Sequence, residues 1–183
     1  HFPGVDVQHR KKLLIVRVDN VWINRFLAKE TEENYKSGNR ILGLEESLEM
    51  ILSVDLADAE IMDVKLKGFA DRIDRSDGIV RIIDYKTGKV DAADLKPKSV
   101  EALFESSPRP KEKAFQLMFY LLLASRDTRI PRLSDEASAG IISFRSLKDG
   151  FIPLVLPDYN PKTTLSDFEN HLKYLLTEIY NRD

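Results

Sequence analysis

Two aspartates and a lysine carry the chemistry this sequence offers first. Asp71 and Asp84 lie in apolar stretches separated by Ser76-Asp77-Gly78, and Lys86 follows Asp84 by two residues. Asp-Gly between apolar runs predicts a β-hairpin closed by a two-residue turn. Such a turn pairs Ser76 with Ile79, and counting outwards from it brings Asp71 opposite Asp84. Side chains facing each other in this way stand roughly 4.5–5.5 Å apart at Cβ, and Lys86 shares the face of Asp84. Two carboxylates at that spacing repel unless a positive charge lies between them. A hard divalent cation resolves the conflict: Mg²⁺ takes oxygen ligands, one or two carboxylates among them, and keeps waters. A lysine beside it can orient a metal-bound water or neutralise a phosphate. Gly68, on the strand of Asp71, predicts room for a ligand or another backbone to approach. The same residue types also make ordinary solvated ion pairs on a sheet, and a longer turn would separate the aspartates. Spacing alone points to a metal site and names no enzyme.

The elements that must position these groups follow from periodicity. Leu14, Val18, Val21, Trp22, Phe26 and Leu27 recur at three- and four-residue spacing and predict a helix over 12–36, stopped by Ser37-Gly38-Asn39. Leu42, Leu44, Leu48, Met50 and Leu52 alternate over 41–54 and predict a strand whose apolar face Glu46 interrupts. The hairpin strands take 60–75 and 79–86, and 87–110 reads as loop with a short helix at 99–105. A helix over 111–126 is apolar from 114 to 124 except for Gln116, too short a run for a membrane span and so a core helix. Strands follow at 138–145 and 151–156. Ser166-x-x-Glu169 predicts a capping box opening a last helix, with Phe168, Leu172, Leu175, Leu176 and Ile179 on one face. Helix, three strands, helix, two strands, helix is the order of a mixed central β-sheet flanked by helices, α/β or α+β in class.

Length and composition set outer limits. A chain of 183 residues makes one domain, since halves would be short of core. Without a cysteine there is no disulfide scaffold, iron–sulfur cluster, thiolate zinc site or cysteine nucleophile. That composition suits a reducing, cytoplasmic setting, and no apolar run is long enough for a membrane partner. The opening at His1, with neither Met nor a signal pattern, reads as a piece of a longer protein. Nine acids between 30 and 60, set against Lys36 and Arg40, make that stretch acidic and leave a modest basic excess elsewhere. Lys89, Lys96, Lys98, Arg109, Lys111 and Lys113 concentrate near the motifs. Of these, Lys89, Lys111 and Lys113 are the candidates for tracking phosphates, and a solvated loop is the alternative.

Gly68-Phe-Ala-Asp71-Arg-Ile-Asp74, the turn, Ile82-Ile-Asp84-Tyr-Lys86-Thr-Gly88-Lys89 and then Gln116-x-x-x-Tyr120 together resemble the PD-(D/E)XK nuclease superfamily. More narrowly they resemble its RecB/AddB-like nuclease domains. The resemblance implies a restriction-endonuclease-like core that hydrolyses DNA phosphodiesters with Mg²⁺ or Mn²⁺. It implies a place in repair or recombination beside a helicase subunit, or a helicase domain of a longer chain. The alternative is an inactive DNA-binding or scaffold domain of the same fold. By the resemblance Asp71 and Asp84 hold the metal, the backbone carbonyl of Tyr85 adds a ligand, and Lys86 serves the attacking water. Gln116 and Tyr120 line the site, and four residues apart on a helix they do share a face. Glu46 is a further metal candidate, with an acidic surface as its alternative.

Many RecB-type members carry a metal-binding histidine well upstream, whereas this chain has only His1, His9 and His171. That histidine is expected upstream of residue 1, so the 183-residue chain is expected to bind metal weakly and cleave poorly. The cysteine-bound cluster of the AddB branch is absent. Thr87-Gly88-Lys89 has no glycine-rich lead-in of phosphate-loop spacing, so no ATP site is expected here.

Overall fold

The hairpin forms with the expected register. In the computed structural model, which describes residues 23–32, 39–56, 60–105, 111–127, 129 and 137–181, strand β2 spans Ile61–Ser76 and β3 spans Ile79–Lys86. They pair antiparallel with Ser76 opposite Ile79 and Arg72 opposite Ile83. Asp77 and Gly78 both have positive φ, 50° and 86°, the signature of the turn whose twist matches that of the strands. Gly78 suits this position because it alone carries no Cβ penalty there.

The hairpin is the middle of a five-stranded sheet in the order β1-β2-β3-β4-β5. Strand β1, Arg40–Asp55, pairs antiparallel along nearly the whole of β2. Strand β4, Ser138–Ser143, lies parallel to β3, and β5, Phe151–Pro153, returns antiparallel to β4. The parallel step requires a crossover, and helix α2, Glu112–Arg126, lies within it. Helix α3, Pro161–Tyr180, closes the chain order, and a helix over 23–32, here α1, precedes the sheet. The mixed sheet with flanking helices is α+β, the architecture expected.

One face of the sheet packs on α2 and α3. Leu48, Leu52, Ile73, Ile82 and Ile141 from the strands meet Leu117, Met118 and Phe168 from the helices in one core. Within β2, Ala70 and Ile73 both belong to this core, although residues three apart on a regular strand face opposite ways. The pleat therefore changes phase between them. Opposite this point in β1, Glu45 takes a left-handed φ of 51°, and the β1 register also shifts between Ile41 and Gly43. These irregularities turn the Leu44 side chain outwards, 59% exposed, where simple alternation placed it inside.

Four further expectations need correction. Helix α3 does not open at Ser166: Asn160 caps it by accepting from the backbone N–H groups of Lys162 and Thr163, and Pro161 sits in the first turn. Glu169 instead pairs with Arg126 and Lys173. Ile179, predicted on the buried face, is 54% exposed in the last turn of α3, and Leu27 is likewise exposed on α1. The strand predicted over 151–156 ends at Pro153, which has no N–H for a ladder. The loop after β3 holds two 3₁₀ turns, Ala92–Leu95 and Glu101–Leu103, the second inside the short helix predicted at 99–105. Of the first predicted helix, 12–22 and 33–36 lie outside the described residues, as do His1, His9 and Arg109.

Because a Cβ on Gly78 would meet nothing within 4 Å, the cost of replacing it is purely conformational. Gly78→Ala should lower stability by about 1 kcal/mol and Gly78→Asn by less. Urea melts check this, and a neutral Gly78→Ala would contradict the assigned turn.

Candidate active site

Asp84 is 4% exposed, on the α2 face of β3 beside the core residue Ile82. Its carboxylate is held from two sides. Lys86 Nζ lies 2.7 Å from Oδ2, and Gln116 Nε2 donates to Oδ1 at 3.1 Å. Lys86 Nζ also donates to Gln116 Oε1 at 3.1 Å, so ammonium, amide and carboxylate form a closed triangle. Gln116 Nε2 reaches the Tyr120 hydroxyl as well, at 2.7 Å. The amide that interrupts an apolar helix is thus satisfied by the polar end of the hairpin and by its own helical neighbour, as four-residue spacing predicts.

Asp71 is held differently from the sequence expectation. The β2–β3 ladder ends at Arg72–Ile83, and the pleat change carries β2 away at the next step. Asp71 Oδ2 fills the opening by accepting from the backbone N–H of Tyr85 at 2.7 Å. Lys86 pairs with Asp84, whose face it shares as expected. The two carboxylates remain within electrostatic reach of each other. Burial first, and then the charge of Asp71, push the Asp84 carboxyl above its ordinary pKa, although Lys86 and Gln116 pull the other way. Tyr120 is raised as well, by burial and then by the two aspartates, against the pull of its Gln116 bond.

Asp84 Oδ2 is buried and has the Lys86 ammonium 2.7 Å away, while a carboxylate oxygen can accept more than one partner. A buried carboxylate oxygen left in this state, near a second carboxylate, has the donor chemistry that Mg²⁺ or Mn²⁺ takes. Asp71 and Asp84 fit such an ion. Among the described residues no three or more His, Cys, Asp or Glu side chains group closely enough to hold a metal. Glu46 is accordingly not brought together with Asp71 and Asp84. Its β1 position pairs with Ala70, and its side chain folds back over Gly43. Gly68 leaves no vacancy: a Cβ there would meet Leu123 Cδ1 at 2.9 Å and Tyr120 Cε1 at 3.0 Å. Its missing side chain makes space for α2, and so for Tyr120, instead of for a ligand. Lys89 is exposed and Lys111 half-buried, while Lys113 is engaged with Asp94 at 3.0 Å. His171 stacks on Phe104 on α3.

The opposite face of the hairpin holds charges that sequence reasoning assigned no role. Asp74, fully buried, receives a two-pronged contact from its cross-strand partner Arg81, at 2.8 and 2.9 Å. Arg72 Nη2 lies 2.6 Å from the same carboxylate, and Arg72 Nη1 bonds Glu30 of α1. Burial opposes the Arg72 charge, but Glu30, Tyr85 and Asp74 together outweigh it and raise its pKa. The ring of Tyr85 stands on this side too, edge-on to Phe26 of α1 at 5.4 Å and tilted against Phe144 at 5.6 Å. Tyr85 thus joins the two faces, with its amide on Asp71 and its ring on α1.

A family model of the PD-(D/E)XK nuclease superfamily matches residues 2–183, and the chain belongs to that superfamily. Its five-stranded mixed sheet is consistent with the restriction-endonuclease-like core of that class. No curated protein matches the chain. Among solved structures, one described as the crystal structure of SSO0001 is 18% identical over 92% of this chain and 67% of that one, with a TM-score of 0.32. A likeness that low carries no argument.

The raised Asp84 pKa has a consequence for stability without metal. The fold binds that proton more tightly than the unfolded chain does, so the contribution is greatest below the ordinary carboxylate pKa and is lost as pH rises through the folded value. Asp84→Asn in EDTA should therefore lie within about 1 kcal/mol of wild type at pH 7, on the stabilising side. Lys86 does not become a trapped charge, because its side chain is 32% exposed and reaches water. The advantage should vanish towards pH 4. Thermal melts across that range check this, and a loss of several kcal/mol at pH 7 would contradict it.

Proposed function

We propose that this chain is the nuclease domain of a DNA repair or recombination system, of RecB/AddB-like type, cutting DNA phosphodiesters with Mg²⁺ or Mn²⁺. The observation that carries the reading is the buried Asp84 carboxylate, held by Lys86 and Gln116 and within electrostatic reach of Asp71. Asp71 and Asp84 would hold the divalent cation, with the Tyr85 carbonyl as a further oxygen ligand. When bound, such an ion polarises the phosphodiester and makes water a stronger nucleophile.

The chain's own residues do the rest. Asp71 is fixed by the Tyr85 amide, so its free oxygen has a set direction. Gln116 holds Asp84 and Lys86 at once, which keeps the ammonium beside the carboxylate without letting it swing into solvent. Lys86 then supplies a fixed positive charge where charge develops on a phosphate oxygen, or orients the attacking water. Tyr120 backs Gln116 from the next turn of α2. A helicase subunit, or a helicase domain of a longer chain, would deliver the DNA.

The test is cleavage of labelled DNA by the full-length protein, with Mg²⁺ and with EDTA. Cleavage should require the metal. Asp84→Ala and Lys86→Ala should each lower it by about two to three orders of magnitude, with far-UV circular dichroism unchanged. Full activity in Asp84→Ala would remove the assigned site. Metal-independent binding without any cleavage would leave a DNA-binding scaffold of the same fold.

A further inference from the structure

A second concentration of positive charge lies on the other face of the same end of the sheet. A cleft of about 330 Å³ opens between α1 and the turn over Phe144–Asp149 that follows β4. Arg25 and Lys29 line it from α1, and Arg145 and Lys148 line it from the turn. No acid lines it among the described residues. Arg25, Arg145 and Lys148 are exposed. Charges of one sign gathered in a cleft repel one another, and the field that results attracts an anion.

The walls of this cleft are fastened to each other and to the active-site hairpin. Phe26 on α1 packs edge-on against Phe144 at 5.2 Å and against Tyr85 of β3. Lys29 Nζ donates to the carbonyl of Leu147, so the helix is pinned to the turn. One residue further on, Glu30 turns to the sheet and holds Arg72. The side chains that bridge α1 to the sheet are thus engaged, while the cations at the cleft mouth face solvent.

Position supplies the occupant. Ser143, the last residue of β4, pairs in the sheet with Lys86. Adjacent strands are separated by about 4.8 Å, and Arg145 follows Ser143 by two residues. The turn that lines the cleft therefore starts from the strand end beside Lys86. We propose that this cleft binds the phosphate backbone of the DNA strand whose scissile phosphate lies at Asp71, Asp84 and Lys86. The inference rests on the DNA-cleavage reading above. It adds a separate positioning surface, in which Arg25, Arg145 and Lys148 contact phosphates one or more nucleotides from the cut. It also replaces Lys89, Lys111 and Lys113 as the main phosphate track.

Binding of a fluorescein-labelled single-stranded oligonucleotide, in EDTA so that nothing is cut, tests this directly. The variant Arg25→Ala/Arg145→Ala/Lys148→Ala is compared with Lys65→Ala/Lys67→Ala/Lys162→Ala, which removes the same charge elsewhere. The cleft variant should bind at least roughly tenfold more weakly at 0.1 M salt. Its log–log salt dependence should be shallower by about 2, at about 0.7 for each lost contact on a single strand. The control should stay near wild type. The milder Arg145→Gln/Lys148→Gln should show an intermediate loss, and it reads the same contacts if the triple variant folds poorly. Equal losses in cleft and control variants would mean a general charge effect and overturn the assignment. Unchanged binding in the cleft variant would overturn it while leaving the cleavage reading intact. A wild-type protein that binds no oligonucleotide would overturn the cleft assignment, and cleavage with Mg²⁺ would still decide the DNA-cleavage reading.

Discussion

A carboxylate kept out of water is the constraint around which this domain is arranged. Asp84 sits beside the core residue Ile82, and burial opposes its charge. Elsewhere in the sheet such positions hold Ile, Val, Leu or Ala. Here the surrounding structure supplies partners: Lys86 from the same strand and Gln116 from a helix that is otherwise apolar along this stretch. Oδ2 has the Lys86 ammonium and Oδ1 the Gln116 amide, which leaves acceptor capacity on both oxygens. Partial satisfaction of a buried carboxylate is unfavourable in a purely structural setting. It is suited to a group that must accept a cation.

The hairpin that carries Asp84 is anchored from behind. On its far face Asp74 binds both Arg81 and Arg72, and Arg72 passes the connection to Glu30 on α1. Arg72 and Asp74 are buried, so the removal of either would strand the other. The pleat change between Ala70 and Ile73 lets a single strand serve both arrangements. Before it, β2 gives its small residues Gly68 and Ala70 to α2. After it, β2 gives Ile73 to the core and Arg72 and Asp74 to the α1 side. Asp71 falls at the change itself, free of the ladder, where its carboxylate can reach the amide of Tyr85.

The parts of this arrangement that are local in sequence were legible in it. The Asp-Gly turn set the register from Ser76–Ile79 to Arg72–Ile83, and Asp71 lies one residue beyond the end of that ladder. Four-residue spacing on α2 put Gln116 next to Tyr120. The parts that depend on irregular backbone or on distant residues were not. The left-handed Glu45 and the pleat change reverse inside and outside for part of β1, which no alternation rule anticipates, and Leu44 is exposed as a result. The partners of Arg72 include Glu30 of α1, some forty residues earlier, which no local pattern reveals. The cleft of Arg25, Arg145 and Lys148 unites residues about 120 positions apart. The start of α3 could have been found, because Asn160-Pro161 is a strong helix-opening pair, but Ser166-x-x-Glu169 satisfies the same rule inside the helix.

The claim that most needs a direct measurement is that Asp71 and Asp84 share one cation. A crystal of the protein soaked in Mn²⁺, with data collected to record the anomalous signal of manganese, measures this without reference to any substrate. The account predicts one anomalous peak within ligand distance, about 2.0–2.4 Å, of a carboxylate oxygen from each aspartate. Asp84 Oδ2 should be one of the two, and Asp84→Asn should abolish the peak. An empty site at saturating Mn²⁺, with Lys86 still seated on Asp84 as an ordinary ion pair, would contradict it.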